Sequence, residues 1–239
     1  MAAPLLVLPL REENPVANMA TDLWMLRAFP RPECPRLRHY AWDRPCHTFG
    51  YGQSIDWVAE QTGAPMESLY RRPTGGGVVD HREDWTYALV IPAEHPAAGS
   101  QIRDSYEALH LALGKAMDLL GVQTKGIPPP PSKGGAGDFP STPGHCFEEP
   151  VAYDLVCLED GAKVAGAAMK RSREGLLLQG SIQKKRLSDL PWDHLAAVFA
   201  EQIADFLKTN PEQIEWPDDW NIAREPFLSE IQSVAWQRR

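Results

Sequence analysis

Along the chain, apolar positions fall into two rhythms, one repeating every three to four residues and one running through or alternating over four to eight. The first predicts helices. Met19, Leu23 and Leu26 place one over residues 18–28, with Asn18 as its cap. Tyr106, Leu109, Leu113, Met117 and Leu120 place another over 100–120, stopped by Gly121. A short helix is expected near 56–62 and a long one over 192–207. The second rhythm predicts strands. A first strand falls within residues 1–10, and strands at 39–43 and 46–49 are expected to join through a tight turn at Arg44 and Pro45. Others follow at 66–70, 85–91, 152–158, 162–169 and 176–182, with turns at 159–161 and 172–175. Strands outnumber helices without alternating strictly with them. The expected fold class is therefore α+β, a mixed, largely antiparallel sheet flanked by helices.

Two stretches break both rhythms. Residues 126–143 are rich in Pro, Gly and Ser, with four consecutive prolines from Pro128 to Pro131; such a stretch cannot join a ladder and is expected to be a mobile surface loop. The tail from Pro211 onward, rich in Trp, Glu and Pro, is expected to pack as short pieces. With 239 residues, 43% of them hydrophobic, and no internal repeat, one domain over 1–239 is expected. Pro4 and Pro9 interrupt the apolar start and no basic segment precedes it, which reads as a strand and not a signal peptide. No apolar run approaches the roughly 20 residues of a membrane span, so no membrane partner is expected.

Charge and cysteine usage narrow the classes further. A formal net charge of −8 argues against a nucleic-acid partner. Cations gather only locally: Arg71 with Arg72, Lys163 with Lys170, Arg171 and Arg173, and Lys184 with Lys185 and Arg186. The four cysteines form no CxxC pair, which fits a reducing, cytoplasmic setting. The seven histidines show no paired ligand spacing, so no metal site is expected.

Candidate chemistry lies in two segments. In Arg71-Arg72-Pro73-Thr74-Gly75-Gly76-Gly77-Val78-Val79-Asp80-His81, two cations meet three glycines that free the backbone to wrap an anion. Read alone, this fits either a phosphate or carboxylate cradle or a glycine-rich hairpin with two solvated arginines; its spacing matches neither a Walker loop nor a dinucleotide fingerprint. In Lys163-Val164-Ala165-Gly166-Ala167-Ala168-Met169, a lysine opens a strand of small residues on which a ligand can lie, or is simply a solvated charge.

Together, in this order, the segments resemble the lipoate-protein ligase and octanoyltransferase family, relatives of the biotin protein ligases. The resemblance covers about residues 18–182. It includes Asn18-Met19-Ala20-Thr21-Asp22, the turn Phe49-Gly50-Tyr51-Gly52-Gln53, the glycine-rich segment, Lys163-Val164-Ala165-Gly166 and Gln179-Gly180-Ser181-Ile182. It implies a tunnel for an eight-carbon acyl chain and transfer of that acyl group to a lysine of a lipoyl-domain carrier protein. Arg71, Arg72, Thr74, Gly75, Gly76, Gly77, His81, Gly166, Ala168 and Gly180 would bind the substrate, with Lys163 at the acyl carbonyl or adenylate. Burying an octanoyl tail at about 0.8 kcal/mol per methylene supplies on the order of 5 kcal/mol.

Within the family, Cys146-Phe147-Glu148-Glu149-Pro150 looks like the cysteine pattern of the octanoyltransferase branch. This makes Cys146 the nucleophile that takes an octanoyl group from acyl carrier protein, without a cofactor. Lys163 is then the neighbour expected to stabilise the thiolate, ahead of His145, whose side chain points to the other face of an extended segment. Cys34, Cys46 and Cys157 are assigned to packing or surface. The alternative is an ATP- and Mg-dependent ligase that forms a lipoyl-adenylate. Gly77 favours that branch, whereas Arg82, where ligases often carry an acid, and the lack of room for an added carboxy-terminal domain favour the transferase. A third reading is a non-catalytic protein that binds an acyl group or lipoyl domain.

Overall fold

The computed structural model describes residues 3–99, 101–129 and 151–238. Strand β1 (Leu5–Glu13) runs into helix α1 (Pro15–Arg27). The cap of α1 is Asn14, whose Oδ1 accepts from Ala17 N at 2.9 Å, followed by a proline whose fixed φ suits the first helical turn. Asn18, the expected cap, is instead buried inside the helix and donates to the carbonyls of Glu13 (3.2 Å) and Ala41 (3.0 Å), tying α1 to two strands.

Next come β2 (Arg36–Trp42), β3 (His47–Phe49), α2 (Ile55–Thr62), β4 (Leu69–Arg71), β5 (Val79–Asp80) and β6 (Asp84–Pro92). After these follow α3 (Pro96–Gly99), α4 (Ile102–Leu119), β7 (Thr124–Gly126), β8 (Leu155–Cys157), β9 (Lys163–Ser172) and β10 (Gly175–Gln183). Finally α5 (Trp192–Leu207), β11 (Pro211–Gln213), α6 (Trp220–Gln232) and α7 (Val234–Gln237) close the described chain.

Eight strands form one mixed sheet in the order β11-β1-β2-β6-β10-β9-β8-β7. β1 pairs in parallel with β11 and β2, and the other pairings in this sheet are antiparallel. Its central strands alternate between two cores. Trp85, Tyr87, Leu89 and Ile91 of β6 face α4 and α5, while Ala88 and Val90 face α1 and α6. Among the described residues, no helix is long and apolar enough to cross a membrane.

Three expectations are corrected. β2 and β3 do not form a hairpin: β2 joins the large sheet, whereas β3 turns into a separate three-stranded sheet, parallel to β4 and antiparallel to β5. The reason is burial, since Phe49 packs with Ile55, Val58, Leu69 and Val78 in a third small core. The expected strand at 66–70 opens as a 3-10 turn over Met66–Ser68, with β4 following. The tail is no set of scraps: α6 is a 13-residue helix that packs on α1, and β11 extends the large sheet.

Candidate active site

Between the large sheet and the small one lies a crevice of about 30 Å³, bordered by Met19 of α1, Trp42 of β2, Gly76 and His81 of the small-sheet unit, and Gly166 and Ala168 of β9. The glycine-rich segment forms its lid. Gly76 has φ +82, and a Cβ there would stand 3.3 Å from the Ala168 methyl, so the loop lies directly on β9. Gly50 completes the contact from behind: a Cβ there would stand 2.1 Å from the Gly76 carbonyl oxygen. Gly180 lies on the same floor, and its missing Cβ makes way for the Tyr87 ring.

The two arginines hold this lid together. The guanidinium of Arg72 donates to the carbonyls of Gly75 (2.7 Å) and Gly77 (2.6 Å) and to Thr48 Oγ1 (3.1 Å). Arg71, fully buried, donates to the carbonyls of Tyr51 (2.5 Å), Gln53 (2.7 Å) and, in α7, Gln237 (3.1 Å). Arg72 borders the crevice and Arg71 does not. Both guanidiniums thus donate to backbone carbonyls, those of Arg72 close by in the chain and those of Arg71 18 to 166 residues away. Thr74, also fully buried, donates to Gln179 Oε1 at 2.7 Å and so pins the loop to β10.

A second network continues from Gln179. Its Nε2 donates to Asp22 at 2.6 Å, and Asp22 also accepts from Arg38 (2.6 Å) and Tyr40 (3.1 Å). Complete burial pushes the Asp22 carboxyl up, and Arg38, Gln179 and Tyr40 pull it back toward the charged form. At the other end of the crevice, His81 Nδ1 lies 2.7 Å from Asp84 and Nε2 lies 2.7 Å from Thr48 Oγ1. Because an ionised carboxylate only accepts, Nδ1 carries the proton. Trp42 covers this ring at a centroid distance of 4.2 Å.

Lys163 is neither solvated nor isolated. It is 4% exposed, and its Nζ lies 2.8 Å from Asp154 Oδ2. Asp154 also accepts from Val151 N (2.7 Å) and, through Oδ1, from the Tyr106 hydroxyl. The ammonium lies against Gly166, which borders the crevice, because that residue has no side chain: a Cβ there would stand 2.7 Å from Nζ; Lys163 itself is not among the residues that border the crevice. Asp154, Tyr106 and Arg38 escaped the sequence reading, and Asp22 and Gln179 stood in it only as members of motifs, since each acquires its contacts from a partner elsewhere in the chain. The one available signal was a buried-type strand opening on a lysine, which requires a countercharge.

Cys146 lies outside the described residues. Cys34 and Cys46 are buried, and burial pushes both thiols up, that of Cys46 strongly. Neither borders the crevice.

The sequence model described as the lipoyl protein ligase A/B catalytic domain matches residues 14–210. Octanoyltransferase LipM of Oceanobacillus iheyensis is 35% identical over 173 residues, 71% of this chain and 60% of that protein, so this chain spans about 60% of that relative's length. Among solved structures, lipoate-protein ligase A bound with ATP gives a TM-score of 0.73 at 18% identity, covering 99% of this chain and 98% of that one. A structure from Thermoplasma acidophilum, described as a bipartite lipoate protein ligase and its E2 lipoyl domain, gives 0.71 at 15% identity, covering 100% and 97%. At these identities the structural likeness is one of fold.

Proposed function

The chain belongs to the lipoyl protein ligase A/B catalytic domain family, and from that premise we propose that it is an octanoyltransferase, carrying an octanoyl group from acyl carrier protein to a lysine of a lipoyl-domain protein. The observation that carries this reading is the buried Lys163 ammonium, held by Asp154 against Gly166, one of the small residues of β9 that border the crevice. A fixed positive charge there suits an acyl carbonyl oxygen as it becomes an oxyanion, or a thiolate beside it. Residues 1–239 act in this reading as one catalytic domain.

The chemistry runs in two balanced steps. The Cys146 thiolate attacks the carbonyl carbon of the acyl thioester, and the carrier's thiolate leaves. The ε-amine of the lipoyl-domain lysine then attacks the acyl-cysteine and loses a proton as the Cys146 thiolate departs, which leaves a stable amide. The role of Cys146 rests on the resemblance of its sequence pattern to the octanoyltransferase branch; burial pushes the Cys34 and Cys46 thiols up, away from the thiolate form. A cytoplasmic setting keeps such a nucleophile reduced. The crevice, at about 30 Å³, holds little more than a water molecule. An eight-carbon chain therefore enters only as lining side chains swing aside, and Met19, unbranched and flexible, is the lining residue suited to that.

A second reading, the ATP-dependent ligase, keeps Lys163 and dispenses with Cys146. It takes ATP and Mg²⁺ as co-reactants; among the described residues no group of three or more metal-ligating side chains gathers, so the Mg²⁺ would arrive on the nucleotide's phosphates. Intact-protein mass spectrometry with octanoyl-loaded acyl carrier protein separates the two. A hydroxylamine-labile octanoyl adduct on the wild type, absent from Cys146→Ala, is the expected result. Lipoyl-domain modification that requires ATP and survives Cys146→Ala would overturn it.

A further inference from the structure

His81 is held at its backbone and at both ring nitrogens. Its N–H donates to the Cys46 carbonyl at 3.0 Å, which sets the residue after β5 beside β3. Nδ1 gives its proton to Asp84 Oδ2, an oxygen that also accepts from Thr86 Oγ1 (2.8 Å) and Ser181 Oγ (2.5 Å), so the carboxylate is fixed from three sides. Nε2 is then a bare acceptor, and the Thr48 hydroxyl, 2.7 Å away, donates to it. Thr48 comes from the small sheet and Asp84 opens β6 of the large one, so a row of hydroxyl, imidazole and carboxylate joins the two sheets beside the crevice that Thr48 and His81 both border. The row has the order and reach of groups that pass a proton from a hydroxyl to a base steadied by a carboxylate.

We infer that Thr48, His81 and Asp84 form the relay that takes the proton from the acceptor lysine, with Thr48 as the catalytic residue that touches the incoming amine. The inference rests on the proposed transfer of an acyl group to a lysine, and it serves an acyl-cysteine and an acyl-adenylate alike. At neutral pH only roughly one lysine amine in two thousand is free of its proton, so the transfer needs a base. The Thr48 hydroxyl spends its proton on His81 and one lone pair on the Arg72 guanidinium, 3.1 Å away; among the described residues its second lone pair has no donor. An ammonium N–H meets that lone pair, and the cation of Arg72 beside it favours the neutral amine over the charged one. The ammonium proton passes to Thr48 Oγ1 as the threonine's own proton passes to His81 Nε2, and the imidazolium that forms has Asp84 as its counterion. The free amine then bonds to the acyl carbon, the bond from that carbon to the leaving group breaks, the nitrogen's second proton goes with the Cys146 thiolate, and His81 returns its proton to solvent.

The test compares two acceptors on the full chain, with octanoyl-loaded acyl carrier protein as donor, or octanoate and ATP if that pair gives turnover. One acceptor is a lipoyl domain, whose lysine arrives charged. The other is hydroxylamine, which is uncharged at neutral pH and does not need the relay; its octanohydroxamate is measured above the enzyme-free rate. Thr48→Val keeps the shape of the side chain and removes the hydroxyl, and His81→Gln removes the base. Both should slow transfer to the lipoyl domain by roughly a hundredfold or more, while octanohydroxamate forms within about threefold of the wild-type rate. Thr48→Ser, which restores the hydroxyl, should recover most of the lysine transfer. Equal losses toward both acceptors, as a misfolded or merely loosened site would give, would overturn the inference, and so would wild-type lysine transfer by Thr48→Val or an octanoyl ester found on Thr48 itself. If the wild type modifies no lipoyl-domain lysine with either donor, the proposed function fails; if it does and the variants match it, only the relay fails.

Discussion

Gly166→Ala should separate the activity of this protein from its stability. The new methyl would stand 2.5 Å from Lys163 Cε and 2.7 Å from Nζ, whereas non-bonded carbons rest at about 3.5–4 Å. The end of the lysine must therefore retreat by roughly 1 Å. It is the far end of a flexible side chain, so it can. The cost falls on the 2.8 Å contact with Asp154. At an effective dielectric near 20, stretching that pair by about 1 Å weakens its attraction by roughly 1.5 kcal/mol. The loss of backbone freedom in the unfolded chain on going from Gly to Ala returns up to about 1 kcal/mol. Net destabilisation should be on the order of 1 kcal/mol or less, about 2–4 °C in Tm for a domain of this size. Activity should suffer far more, since a 1 Å displacement of a group at the reacting centre costs about a hundredfold. Octanoylation of a lipoyl domain followed by mass spectrometry, alongside calorimetry, measures both. A variant that keeps kcat within threefold of wild type would refute the placement of Lys163 at the reacting carbonyl. A Tm fall beyond about 10 °C would show that the backbone, and not the lysine, had to give way.

Gly180→Ala should show the opposite split: its methyl would stand 2.1–2.4 Å from the Tyr87 ring, which is buried and cannot retreat, so overpacking should cost about 1–3 kcal/mol or more in urea unfolding. Ala168→Leu, at a half-buried position bordering the crevice under Gly76, should raise KM for the octanoyl donor more than about tenfold by filling the acyl path, with Tm within a few degrees of wild type; an unchanged KM would place the acyl chain elsewhere. Burial lowers His110 from the ordinary 6.5 to about 4. In that window the unfolded chain binds the extra proton, so stability is full above pH 6.5 and falls by up to roughly 3 kcal/mol as pH drops to about 4. His110→Gln should flatten this loss in urea titrations at pH 7 and 4.5; an equal loss in both proteins would rule His110 out as its source.

What the sequence made legible was what local spacing controls. α5 begins and ends where its apolar period does, because Leu195, Phe199, Ile203 and Leu207 all face one core. β6, β9 and β10 fall close to their expected places for the same reason. The β2–β3 hairpin misled because a short turn at Arg44 and Pro45 is equally compatible with crossing to a second sheet, and only the burial of Phe49 in a third core decides between them. α6 was hidden by Pro226 within it; the helix tolerates it where Ile222, whose carbonyl the missing N–H would have met, stands 80% exposed. At the site, the glycines and Lys163 were legible because their segments, taken together and in order, resemble the motifs of a known family. Their partners were not: Asp154, Tyr106 and Gln179 look ordinary until the fold brings them across 9 to 157 residues of chain to what they hold.

The clasp between Arg71 and α7 has a consequence for how the protein comes into being. The lid of the crevice depends on Gln237, which accepts from the Arg71 backbone and guanidinium, and on Trp236, whose indole donates to the Arg71 carbonyl at 3.0 Å, a separation of 165 residues. A chain that emerges in order from the ribosome can form the strands of both sheets before those two residues exist outside it, although Trp236 also completes the core beside α1. The scaffold can assemble while synthesis continues, but the lid has its last anchor only after residue 237 is free to dock. A chain released only as far as α6 would therefore lack this anchor for the loop over the crevice.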